Sequence, residues 1–390
     1  MAKFEPFRAL RYATSDLGKV VAPPYDVLTL ADVRHLRNLD VRNITWVDVP
    51  LEEDGDDRYR VARDRLEEWI VDGTFIRDDD RSFTIYRMIF VDASGSYRTI
   101  SGVIGAIEVD DAELPVLAHE RTTPKATTDR RDLLMSTETN LSSIWGLSLG
   151  VGLSDALAAP GELVGEVEID GVHHRFERVT EEHRCAQIAS IVTGSSVLIA
   201  DGHHRFSISK ELAPVLRASS RGAGSTMMFV NELVEEQLAI AAIHRVYRGV
   251  DAEVLRAALN ECYESVGFID RTGDIVTAMG DNNAIAYLDS EGTCELMGAR
   301  VGVFDGLRDL DGLRLEYALR QVEHHVSYEH SMTEISRLLA EGDVACAVLI
   351  RPVGLNEIVR TARERELMPP KSTFFTPKLL TGPVLRPLDE

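Results

Sequence analysis

Apolar positions along the chain recur at two spacings, and the switches between them mark its elements. In DDRYRVARDRLEEWIVDG, Val61, Leu66, Trp69 and Ile70 share one helical face, and Gly73 supplies the stop. LTLADVRHLRN reads as a helix capped by Thr29. SFTIYRMIFV and YRTISGVIGAIEV read as two strands joined by the turn DASGS. GEVEIDGVHHRFERV reads as another hairpin, turning at Asp170–Gly171, and ITWVDV (Ile44 to Val49) as a strand. EEHRCAQIASIV predicts a helix, SSVLIA a short apolar strand, and SISKELAPVLRASS the next helix. STMMFVNEL and LAIAAIHRVYRG are strand-like. After Val250, DAEVLRAALNECYESVGF, LDGLRLEYALRQV and LNEIVRTARERELMP read as helices, and AIAYLD, VGVFDG and DVACAVLIRPV as strands.

Interleaved helices and strands predict an α/β fold with a mixed sheet. Three regions are expected: 1–150, 151–250 and 251–390. Prolines and glycines punctuate the last stretch, PKSTFFTPKLLTGPVLRPL, so it is a loop that contacts must pin.

Composition narrows the function classes. The chain has 390 residues, 44% hydrophobic and 27% charged, with a formal net charge of −22. That charge repels nucleic-acid backbones and argues for small-molecule chemistry. The four cysteines, Cys185, Cys262, Cys294 and Cys346, are far apart without CxxC spacing, which fits free thiols in a reducing compartment. MAKFEPFRALRY has no apolar signal region, and no 18-residue apolar run occurs. A cytoplasmic protein with no membrane partner is expected.

Three polar clusters stand out. ADGHHRF, residues 200–206, follows the apolar strand and precedes a helix. Such a junction offers backbone N–H groups and a helix dipole to an anion. Gly202 permits a tight turn, Arg205 offers bidentate donors, and His203 and His204 add donors that titrate near neutrality. Asp201 would repel a phosphate, so its roles are to bind Mg²⁺, order the loop or take a proton. The plain alternative is an ordinary turn with a capping aspartate. Adjacent histidines on an extended chain point opposite ways, which disfavours zinc. The pair His173–His174 has the same letters without a following helix and is expected at the surface. His324–His325 is expected to be solvated in a polar helix.

The second cluster, HERTTPKATTDRR, holds Glu120, Arg121 and Arg130. It is either a solvated loop or an anion site. The third, PPKSTFFTPK, places Lys371, Ser372 and Thr373 together without the glycines of a P-loop. It is either a docked tail or a segment closing over a nucleotide. Asp26 follows Pro23–Pro24, a rigid mount for a functional carboxylate or a helix cap. HExxH and GxGxxG are both missing from the sequence.

FRALRY, VAPPYDVL, HERT…DRRDLL, IWGL, ADGHHRF, IHRVYRG and MPPKSTFFTPKLLTG occur in that order. Over its full length the chain resembles the domain of unknown function 1015 family. Its ADGHHR element is similar to the phosphate loop of the ParB/sulfiredoxin superfamily, whose free-serine kinases carry the same DGHHR letters. The resemblance implies a ParB/sulfiredoxin-like core with large additions, since that core is far shorter than this chain. Residue by residue, Asp201, Gly202, His203, His204 and Arg205 match that phosphate loop, which the superfamily uses on nucleotide phosphates. The kinases use a glutamate base that no motif aligns here; Glu120 and Asp26 are candidates on chemistry alone. The expected function is an ATP- and Mg²⁺-dependent kinase acting on the hydroxyl of a small metabolite, free L-serine first. A ParB-like nucleotide switch and a non-catalytic metabolite binder are the alternatives. The partners implied are a nucleotide and a hydroxyl metabolite, with homo-oligomerisation left open.

Overall fold

The structure, a computed structural model, describes residues 2–14, 16–92, 95–110, 115–120, 125–271, 273–364, 367–369 and 371–390. Its contacts divide the chain into two compact units, residues 1–239 with 377–390, and residues 240–376.

The first unit is built on a nine-stranded mixed sheet. Its strands are β1 (Phe4–Glu5), β2 (Phe83–Val91), β3 (Tyr97–Glu108), β4 (Val116–Leu117), β5 (Ile144–Ser148), β6 (Glu162–Ile169), β7 (Val172–Val179), β8 (Val197–Asp201) and β9 (Ser225–Glu232). They lie in the order β4-β8-β5-β9-β3-β2-β7-β6, with β1 also pairing β3. β8 runs parallel to β4 and antiparallel to β5. Strands from 1–150 and from 151–250 thus interleave in one sheet. The expected hairpins are present, and Asp170 (φ 50°) with Gly171 (φ 74°) makes the tight turn between β6 and β7.

Helices α1 (Leu30–Leu39), α2 (Thr45–Asp48), α3 (Arg58–Val71), α4 (Lys125–Thr137), α5 (Leu153–Ala158), α6 (Glu182–Thr193) and α7 (His203–Leu216) complete the unit. Thr29 caps α1 in a reciprocal box with Asp32. Ile85, Val103, Ile144, Val197, Ile199 and Val230 of the sheet pack on Leu153 and Leu157 of α5 and on Ile188 and Val192 of α6. Val197, Leu198, Ile199 and Ala200 are all buried, as the unbroken apolar run of β8 requires. α7 sets Ile208, Leu212 and Leu216 against Leu134 of α4 and Leu388 of the tail.

The second unit carries a six-stranded, wholly antiparallel sheet. Its strands are β10 (His244–Arg248), β11 (Tyr263–Phe268), β12 (Ala284–Asp289), β13 (Cys294–Ala299), β14 (His325–Glu329) and β15 (Cys346–Leu349), in the order β11-β13-β12-β15-β10-β14. Its helices include α8 (Ala252–Cys262), α10 (Asp311–Ala318) and α12 (Leu355–Glu364), with α9 (Ile275–Asp281) and α11 (Met332–Glu341) between them. All four cysteines are buried and free.

Several expectations fail for physical reasons. ITWVDV is helix α2, not a strand: Ile44, Thr45, Val47 and Asp48 are the buried positions, a helical spacing. Asn43 starts it by accepting from the Thr45 N–H (3.0 Å) and hydroxyl (2.7 Å). VGVFDG is a succession of turns, with Gly302 and Gly306 both at positive φ. The helix expected through Phe268 stops at Cys262 and becomes β11, while His325 opens a strand rather than lying in a helix. His174 is buried, not at the surface.

Candidate functional site

Because β4 and β8 run parallel and β5 opposes them, three chain segments meet at one end of the sheet. They are His119–Glu120 after β4, Asp201–Gly202 at the end of β8, and Ser142–Ser143 before β5. Carboxyl ends of adjacent parallel strands are where open α/β sheets place ligands.

α7 begins at His203, so the two histidines belong to its first turn rather than to an extended loop. Gly202 is the N-cap, with φ +89°. A Cβ there would be strained and would meet the Arg205 guanidinium at 3.0–3.1 Å. A glycine cap supplies no side-chain acceptor, and the first turn holds no acid, so neither source offsets the helix's positive end.

The side chains around this turn are mutually braced. Arg205 donates through one nitrogen to Ser143 O (2.7 Å) and Ser142 Oγ (3.0 Å), and through the other to Asp201 Oδ2 (3.5 Å). It therefore ties the start of β5 to the end of β8. Asp201 has a second cation: Lys378 Nζ lies 3.5 Å from Oδ1. His203 is buried and meets His119 edge-on, ring centroids 4.7 Å apart. The His119 Nδ1 lies 2.7 Å from Ile199 O, and burial lowers its pKa to about 4, so the ring is neutral near pH 7 and Nδ1 is the donor. His204 is half-buried one position further along α7, and Glu120, also half-buried, directly follows His119.

Two more segments converge here. Tyr25 and Asp26 lie in the short turn Tyr25–Val27 after Pro24, whose backbone is extended (φ −65°, ψ 149°). The Tyr25 ring lies 4.0 Å from the Arg130 guanidinium carbon. Burial pushes the Tyr25 phenol up, while Arg205 and Arg130 pull it down and Asp26 and Asp201 push it further up. Asp26 itself is exposed, and the cap of α1 is Thr29. Arg130 is buried and pairs with Asp48 (3.1 Å) and Asp129 (2.9 Å). Burial pushes the Asp48 carboxyl up, against the pull of Arg130 and Arg205. Beside Asp48, Arg130, Ser142 and Arg205 lies a cavity of about 50 Å³. That is room for a few waters and not for a nucleotide.

The backbone ties the tail to this cluster. Ala22 and Thr381 exchange N–H···O bonds of 3.1 and 2.8 Å, joining the segment before Tyr25 to the segment after Lys378. Lys371, Ser372 and Thr373 belong to the second unit. There Lys371 has φ 59° and its carbonyl accepts from Arg245 (3.1 Å), while the buried Ser372 hydroxyl donates to Pro369 O (2.8 Å). Arg121 lies outside the described residues. Among the described residues no group of three or more His, Cys, Asp or Glu side chains is set to hold a metal.

The structure thus brings together Asp201, Gly202, His203, His204 and Arg205 with Glu120, Asp26 and Arg130. Sequence reasoning passed over Tyr25, Asp48, Ser142 and Lys378. Tyr25 and Lys378 stood inside quoted motifs and Asp48 inside a misread strand, while Ser142 is one of many serines.

Among the described residues no helix is long and apolar enough to cross a membrane. No curated protein matches the chain. Among solved structures it is similar to a free serine kinase in complex with AMP, at 12% identity and a TM-score of 0.41, over 74% of this chain and 92% of that one. It is similar also to SbnI with a C-terminal truncation from Staphylococcus aureus, at 14% identity and a TM-score of 0.38, over 71% and 85%. A conserved hypothetical protein from Pyrococcus furiosus matches at 11% identity and a TM-score of 0.39, over 70% and 90%. The model described as "Protein of unknown function (DUF1015)" matches residues 4–329, and the chain, as its ordered motifs indicated, belongs to that family.

Proposed function

We propose that this protein transfers a phosphoryl group from a nucleotide, ATP first, to the hydroxyl of a small metabolite, with free L-serine the leading acceptor. The observation that carries this reading is Asp201 set between Arg205 and Lys378 at the glycine-capped start of α7. Phosphoryl transfer asks a protein mainly for positioning and charge neutralisation. The α7 N-terminus, His203, His204 and Lys378 would face phosphate oxygens, and Arg205 would hold the turn in shape. The acceptor oxygen bonds to the terminal phosphorus as the bond from that phosphorus to the nucleotide's bridging oxygen breaks. The acceptor's proton goes to a carboxylate. Asp201 is the nearest to the turn, and Glu120 and Asp26 are the other candidates for this role. Mg²⁺ would supply charge neutralisation on the phosphates and would be met by Asp201, whose two ion pairs, both 3.5 Å, are longer than locked ones. A ParB/sulfiredoxin-like core, a cytoplasmic location and the absence of nucleic-acid partners belong to the same reading.

The test is turnover. The protein is incubated with ATP or ADP, Mg²⁺ and a panel of hydroxyl amino acids, and products are read by mass spectrometry. Serine-dependent, stoichiometric formation of phosphoserine supports the reading. Hydrolysis indifferent to any acceptor indicates a nucleotide switch instead, and a thermal shift without turnover indicates a binder.

A further inference from the structure

The pair His173–His174 does not behave as a surface pair. His174 is buried, and its Nδ1 lies 2.7 Å from the hydroxyl of Tyr86. That hydroxyl also accepts the backbone N–H of Leu380 at 3.2 Å. Tyr86 stands directly opposite Phe176 in the β2–β7 ladder, and its ring is wedged between Phe176 (4.3 Å) and Phe229 (5.5 Å), which fixes where the hydroxyl points. A phenol has one proton. Burial lowers the His174 pKa to about 4 and keeps the ring neutral near pH 7. In the tautomer protonated on Nε2, Nδ1 accepts the hydrogen bond from that proton while the hydroxyl oxygen accepts the Leu380 N–H. The result is a one-way relay, Leu380 N–H to Tyr86 O–H to His174.

Leu380 is two residues from Lys378, the lysine paired with Asp201. The next residue, Thr381, is bridged through the backbone to Ala22. The tail is therefore held at adjacent positions by different means, a backbone bridge at 381 and a side-chain relay at 380. The relay lies on the Lys378 side of the bridge. Breaking it leaves the tail attached at Thr381 but removes one restraint next to the residues that carry the ammonium group.

We infer that Tyr86 and His174 are positioning residues that set Lys378 against Asp201 through the backbone of Leu380. The inference rests on reading the Asp201 turn as the active site, and its test has a readout independent of turnover. Lysines of the full-length protein are acetylated with an N-hydroxysuccinimide ester and quantified by peptide mass spectrometry, with the exposed Lys19 as internal reference. Lys378, whose side chain is 12% exposed, should label slowly in the wild type. Tyr86→Phe should raise Lys378 labelling about fivefold or more, the scale of one lost buried hydrogen bond. His174→Leu, which removes the acceptor, should do the same. His174→Asn, which keeps an acceptor near the Nδ1 position, should restore slow labelling. In kinetics Tyr86→Phe should raise the nucleotide KM more than it lowers kcat, and Tyr86→Phe with Lys378→Ala should be no worse than Lys378→Ala alone. Unchanged Lys378 labelling in folded Tyr86→Phe overturns the inference. If that variant does not fold, equal labelling in His174→Leu and His174→Asn overturns it. Altered labelling in a protein that transfers no phosphate would sink the kinase reading and leave the relay standing.

Discussion

Lys378 Nζ and Asp201 Oδ1 are 3.5 Å apart, although 177 positions of sequence separate them. The contact makes the C-terminal tail part of the turn that closes β8. On the proposed reading, the tail's contribution comes from Lys378 rather than from Lys371. Lys378→Ala should weaken nucleotide binding about ten- to a hundredfold, the range for losing one charge-assisted contact. Lys371→Ala should leave binding within about twofold if its role is confined to the second unit. Isothermal titration of both variants checks this, and a larger loss for Lys371→Ala would reverse the assignment.

Gly202 is the backbone requirement of the site. At φ +89° an alanine pays the left-handed penalty of about 1–2 kcal/mol, and its Cβ pushes into the Arg205 guanidinium. Gly202→Ala should therefore lower stability by about that amount and also disturb Arg205. A thermal melt reads the first effect and nucleotide titration the second. A variant that melts like the wild type would show that the turn relaxes without strain.

Much of the site is legible in the sequence itself. The strand–turn–helix around ADGHHRF follows from an apolar run, a glycine and a helical repeat, all local signals. So do both hairpins and the α1 cap. What could not be read depends on pairing across the chain. Nothing local says that β4 lies beside β8, which is what sets His119 against His203. Nor does Ala22 announce Thr381. Asp48 was hidden because ITWVDV has strand-like composition, and its helix is started by the Asn43 side chain and buried on a helical spacing. His174 is hard to place from sequence because its partner Tyr86 is 88 residues away, while its neighbour His173 is only half-buried.

Arg205 has a structural duty as well as an electrostatic one. Its bonds to Ser143 O and Ser142 Oγ hold β5 against the start of α7. Arg205→Ala should abolish nucleotide binding and also cost about 1–3 kcal/mol of stability, since it strands buried acceptors. Arg205→Lys should recover part of the stability but little of the binding, because a point charge cannot reproduce the planar fork. Urea unfolding alongside titration separates the two effects. Equal recovery of both by lysine would mean that only the charge matters.

Acid should destabilise the first unit through its buried histidines. Burial lowers the pKa of His119 and of His174 to about 4, against about 6.5 in the unfolded chain. Between those values the unfolded state binds protons that the folded state does not, so stability rises with pH. Read downward, it is fully present above about pH 6.5 and is lost as pH falls toward 4. The slope is about 1.4 kcal/mol per pH unit for each histidine in that window. His174→Asn keeps an acceptor for the Tyr86 hydroxyl but cannot titrate, so it should remove one histidine's share of the slope. Urea midpoints of the wild type and of this variant between pH 7 and pH 5 measure it. Parallel pH profiles would mean that His174 titrates alike in the folded and unfolded chain, which would overturn the burial-driven shift. A wild-type profile whose His174 share rises toward acid would mean that the ring is protonated in the folded protein.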